Sequence, residues 1–316
     1  MLTLPTPANH SPPPLDDFER LDDTCSMNWS LHLASGRFST GRVTAVFSVF
    51  FGLGVWVVLW AADVRREAWS DSNFLEWVVL ALALTFASAF AFEIGVRSLQ
   101  EIADSWGGTF RSRRVSLTAV AVILAASGVI LATVAIPNVG GSVRGAVLCL
   151  VAVLGGAPTV LTFLAIGGVV RKRELQTPLD KQVVEYLRLR DLMARQLPPL
   201  GALVGLATLA FGAARLIGGE LVDNSGPSTV VLIFGAVGTL FVALIYMFAR
   251  HPMRGWARAL TNLLTPTGGD PVTILEQRTS IAANLGLAGS VTVELQTGVW
   301  ILAPLLAGAL PSVVSS

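Results

Sequence analysis

Seven apolar blocks, each about 20 residues or longer, follow one another along the chain with short polar connections between them. They lie at about 43–62, 77–96, 116–136, 145–170, 199–219, 229–249 and 285–309. A soluble core of this size would break such blocks with polar faces at helical spacing. Unbroken, each is long enough to cross roughly 30 Å of hydrocarbon as a helix. The pattern predicts an all-α fold: a polytopic integral membrane bundle of about seven transmembrane helices, one domain over 43–310. The fourth block contains Gly155, Gly156 and Pro158, which read as a kink, and the seventh, which lies within Ile281 to Leu310, has Asn284, Glu294 and Gln296 there, which mark it as tilted or broken.

The connections carry a second pattern. Leu99, Ile102, Ala103 and Trp106 recur at three-and-four spacing and extend the second span. After Thr177, a fitting N-cap, and Pro178, a helix is expected with Leu179, Val183, Tyr186, Met193 and Leu197 on one face and Lys181, Arg188 and Arg195 on the other. Met253, Trp256, Leu260 and Leu263 form a third stripe, beside Arg254 and Arg258. Short basic amphipathic helices of this kind suit an anionic membrane surface, and equally suit packing against the end of the bundle. Pro198-Pro199 is expected to separate the second of them from the fifth span.

Charge fixes the expected orientation. Connections alternate between the two sides, and eighteen Lys and Arg fall on one side against three on the other, with Arg215 inside a span. By the positive-inside rule the N-terminus is cytoplasmic, the protein is multi-pass in the cell membrane, and the C-terminus is outside if there are seven spans. Trp60, Trp69 and Trp77 then sit at the outer interface, and Trp106 and Trp256 at the inner one. Residues 1–42, with Pro12-Pro13-Pro14 and five acidic residues between Asp16 and Asp23, read as a polar, disordered tail without the order of a secretory signal; 311–316 form a short C-terminal tail.

Composition narrows the chemistry. The chain is 53% hydrophobic and 14% charged with a net charge of +1, so nothing global calls for nucleic acid. His10, His32 and His251 all lie outside the spans, as do both lysines, Lys172 and Lys181. That leaves no haem-ligating or zinc-ligating histidine and no Schiff-base lysine within the membrane, and no span contains an aspartate. No cofactor, no metal site and no catalytic constellation is expected. Cys25 and Cys149 occupy a tail and a span, an unsuitable pair for a disulfide.

Charges inside spans are costly and are therefore the default site candidates. Arg215 and Glu294 fall at similar depths in spans five and seven and are expected to pair. Glu93 and Arg97 form an i,i+4 pair at the interface. Gly201, Gly205, Thr208 and Gly212 share one face of span five, a small-residue seam on which span seven or another copy of the chain could pack. Arg171, Lys172, Arg173, Arg254 and Arg258 are candidate contacts to anionic lipids or to a cytoplasmic protein, with residues 171–195 the expected partner segment. The function these features suggest is a non-enzymatic membrane scaffold, accessory or sensor subunit with a basic cytoplasmic face; the alternative is a small-solute or ion transporter or channel using Glu294 and Arg215.

Overall fold

The computed structural model of the chain describes residues 40–64, 72–110, 124, 127–128, 143–172, 178–217, 227–265, 270–287 and 298–307. The main compact unit is Ala45–Ser316; of the other, Met1–Thr44, only the first turn of one helix is described. Seven helices are present among these residues. They are α1 (Thr40–Val64), α2 (Ser72–Phe110), α3 (Val143–Lys172), α4 (Leu179–Ile217), α5 (Pro227–Leu264), α6 (Pro271–Asn284) and α7 (Gly298–Ala307). Five of them, α1 to α5, are long and apolar enough to cross a membrane. With this all-α build, the protein has the architecture of a multi-pass membrane protein.

Residue pairs give the directions. Gly54 of α1 abuts Thr85 of α2 and the Phe50 ring lies 5.8 Å from that of Phe92, so these two run antiparallel. Between α2 and α3 the matched pairs are Ser88 with Gly155, Ala91 with Thr159 and Gly95 with Thr162, a nearly constant offset that makes them parallel neighbours. The expected third span falls between α2 and α3 in sequence, and apart from Leu124, Ser127 and Gly128 it lies outside the described residues. α4 is antiparallel to α2, α3 and α5 through Gln196–Ser98, Cys149–Ala207 and Tyr186–Trp256.

Small residues set how closely the helices approach. In the membrane half remote from the basic end, the core of Phe74, Trp77, Leu84, Leu148 and Phe211 is interleaved with Ala81, Ala91, Ala146, Ala207 and Ala210. Lipid does not drive helices together as water does, so close van der Waals contact and interhelical hydrogen bonds must. Helices α2 and α3 approach closely at two points. A Cβ at Gly155 would lie 2.6 Å from Ser88 Cβ, and one at Gly95 would lie 2.6 Å from the Thr159 backbone nitrogen. Thr159 Oγ1 donates to the Ala91 carbonyl (3.4 Å) and Thr162 Oγ1 to the Gly95 carbonyl (3.3 Å). Gly155, Gly156 and Pro158 thus serve helix contact inside α3, which runs on through them.

Three further expectations change. Pro198 and Pro199 do not end a helix: α4 runs through them for 39 residues. The carbonyls that lose a donor belong to Ala194 and Arg195, which are exposed, while buried Gln196, Leu197 and Leu200 hold the helix in register. The stripe from Met253 to Leu264 is the end of α5 and not a separate surface helix, with Pro252 inside it. Trp77 and Trp256 turn inward at 1% and 7% exposure, so they belong to the core and not to an interfacial belt; Trp60 remains exposed, stacked on Trp56 at 5.8 Å.

Candidate functional site

Helices α2, α4 and α5 carry apolar spans of 33 to 36 residues, about 50 Å or more, against roughly 30 Å of hydrocarbon. Most of their charged residues lie toward one end, the basic end of the bundle. There Ile102 of α2, Val169 of α3, Tyr186, Leu189 and Met193 of α4, and Met253, Trp256 and Leu260 of α5 share a single buried core. The apolar stripes read from sequence as surface-seeking are consumed by this core, except Leu263, which stays exposed. The packing alternative holds for them.

Polar contacts fasten the same region. Gln196 Nε2, fully buried, donates to Ser98 Oγ (2.6 Å) and to the Ile94 carbonyl (3.3 Å), tying α4 to α2. One helical turn and more below, Arg188 Nε meets Glu101 Oε1 at 2.7 Å, and its guanidinium lies 5.6 Å from the Trp106 ring centroid. Trp106 itself leaves helical geometry (φ −133°, ψ 28°), which bends the end of α2. Sequence placed Arg188 on a solvated face; α2 supplies the carboxylate that it could not reveal.

A third fastening stops α6. Leu285 is buried, and Gly286 takes φ +71°, a left-handed value that glycine reaches without strain. Tyr186 Oη donates to the Leu285 carbonyl (2.8 Å), and Arg190 Nη1 donates to the Asn284 carbonyl (3.1 Å). The Arg190 guanidinium carbon would stand only 2.6 Å from a Cβ at Gly286, so the missing side chain makes room for it. Arg278 Nη2 donates to Asn262 Oδ1 (3.2 Å), holding α6 along α5. Neither α6 nor this turn was legible in the sequence, where residues 265–284 read as a connection.

The remaining candidates are distributed. Glu93 Oε1 accepts from Arg97 Nε at 2.8 Å, and its other oxygen is buried without a hydrogen-bond partner among the described residues. Gly201 and Gly205 face α7: a Cβ at Gly201 would collide with the Trp300 carbonyl oxygen, and one at Gly205 would lie 3.6 Å from the Ala303 carbonyl oxygen. Gly212 faces Val231 of α5 instead, and Thr208 is buried with its hydroxyl donating to the Val204 carbonyl. Arg215 lies on the backbone of α4, but its side chain and the whole of Glu294 fall outside the described residues. Arg171 is exposed, its guanidinium 4.5 Å from the Phe248 ring centroid. Arg254 and Arg258 are exposed, and among the described residues neither has a carboxylate partner. The Lys172 side chain and Arg173 are outside those residues.

What fold and site define is a class: a multi-pass, all-α membrane protein with a packed helical extension at its basic end. Compared with known proteins, the chain matches no family model, and no curated protein or solved structure matches it either.

Proposed function

We propose that the protein is a non-enzymatic membrane scaffold, accessory or sensor subunit that works through this helical platform, on the side that the charge bias supports as cytoplasmic. One observation carries the reading: α2, α4 and α5 continue well beyond bilayer length and spend their apolar faces on one another. A chain that needed only to cross the membrane would not need an ordered core outside it. The outward side of α4 keeps Lys181 with exposed Val184 and Leu187, a mixed cationic and apolar surface suited to a protein partner.

Photo-cross-linking in the host cell tests this. A cross-linker at Lys181, Val184 or Leu187 should give one discrete protein adduct, and one at lipid-facing Val79 or Phe86 should not. Absence of any adduct from the platform would count against the scaffold. So would proton or cation flux from well-folded protein in liposomes that vanishes in Glu294→Gln, the signature of the transporter alternative.

A further inference from the structure

One face of α5 changes character abruptly along its length. Ile233, Val237, Leu240, Leu244, Met247, His251, Arg254 and Arg258 follow at alternating steps of four and three, which places them on one side of the helix. All eight are exposed. The first five, 45% to 62% exposed, cover about 21 Å of apolar surface. The last three are basic residues, with no apolar residue interposed on this face. Arg171 reaches the same level from α3, its guanidinium against Phe248, one turn from His251.

We infer that this stripe is a binding surface for one anionic phospholipid. Its acyl chains lie along Ile233 to Met247, and Arg171, His251 and Arg254 hold its phosphate. The geometry suits the headgroup layer, which extends roughly 5–8 Å beyond the hydrocarbon on each side. His251 is about 6 Å past Met247 along the axis, and Arg254 about 10 Å past it, within reach by snorkelling back. Arg258, another turn on, adds attraction without contact. The segment from Phe248 to Leu264 contains no acidic residue, so nothing on α5 competes for these cations.

A second copy of the chain is the obvious rival for an exposed helix stripe with this spacing. In a bilayer both copies have the same orientation, so a two-fold dimer through this face would set His251, Arg254 and Arg258 against their own counterparts. Like charges facing each other oppose such pairing. The inference does not depend on what the platform recruits.

The test uses full-length protein in phosphatidylcholine vesicles containing spin-labelled phosphatidylglycerol or spin-labelled phosphatidylcholine. The readout is the motionally restricted fraction of each label. Wild type should prefer phosphatidylglycerol by about fivefold or more, on the scale of one cation's attraction to an anionic lipid. R171Q/R254Q should bring the two lipids within about twofold of each other, while R171K/R254K and K181Q keep the preference. Equal restriction of both lipids in wild type would overturn the inference, as would an equal loss in K181Q, which would mean net charge alone. Displacement of the lipid by soluble glycerol phosphate would show that a free anion is the ligand. Disulfide-linked dimers of Leu244→Cys at low protein density would assign the stripe to a second copy.

Discussion

Replacing Gly95 with alanine adds a single methyl group at the point where α2 and α3 lie closest. That Cβ would stand 2.6 Å from the Thr159 backbone nitrogen and 2.8 Å from both the carbonyl carbon and Cβ of Pro158. Ordinary carbon contacts are about 3.5–4.0 Å, so the helices must part by about 1 Å. The obstacle is backbone, which cannot rotate aside. Overpacking of this kind costs about 1–3 kcal/mol. The separation also stretches the Thr159–Ala91 and Thr162–Gly95 hydrogen bonds, already 3.4 and 3.3 Å, beyond useful length. Interhelical hydrogen bonds in membranes average about 0.6 kcal/mol, so the two add roughly 1 kcal/mol. The total, about 2–4 kcal/mol, corresponds to a fall of roughly 30-fold to 900-fold in the folding equilibrium constant. Reversible unfolding in mixed micelles with increasing SDS would measure it. Gly52→Ala and Gly255→Ala are the references, since a Cβ at either position would meet nothing within 4 Å among the described residues. Both should be neutral or stabilising by up to about 1 kcal/mol through helix propensity. If Gly95→Ala unfolds together with those two, the argument from close approach is wrong.

Other expectations concern the basic end. Gly286→Ala must hold a left-handed angle and push the Arg190 guanidinium away, costing about 1–2 kcal/mol in the same assay; Gly286→Asn should cost less, because asparagine tolerates that region. Equal losses for the two would point to space and not to backbone angle. The Arg188–Glu101 pair is partly exposed, so a double-mutant cycle with glutamine at both positions should give a coupling below about 1 kcal/mol, partly restored by exchanging the two residues. Tyr186→Phe removes the donor to the Leu285 carbonyl and should speed hydrogen exchange at the amides around Leu285–Leu287, with about 1 kcal/mol lost locally. Gly201→Leu should detach α7 from α4, read as loss of cross-linking between cysteines introduced at Gly205 and Ala303, whereas unchanged cross-linking would refute that contact.

The sequence by itself determined the class of fold. Length and polarity of the apolar blocks decide between membrane and soluble folding, because a bilayer demands satisfied backbone and long apolar helices wherever they pack. It also disclosed the Glu93–Arg97 pair, since residues four apart on one helix meet whatever surrounds them. The tertiary structure decided what the amphipathic stripes face and which glycines touch. A stripe of Tyr186, Met193 and Leu197 is equally content on lipid or on another helix; only the arrival of Trp256 and Ile102 makes it core. Gly95 gave no motif and Gly155 read only as part of a kink, because their partners are Thr159 and Ser88 on a neighbouring helix more than sixty residues away in sequence. Pro198 and Pro199 carried a strong local signal for a break, and burial of Gln196, Leu197 and Leu200 outweighed it. Local chemistry writes the spans; contacts between distant segments, which no single stretch of chain encodes, build the platform.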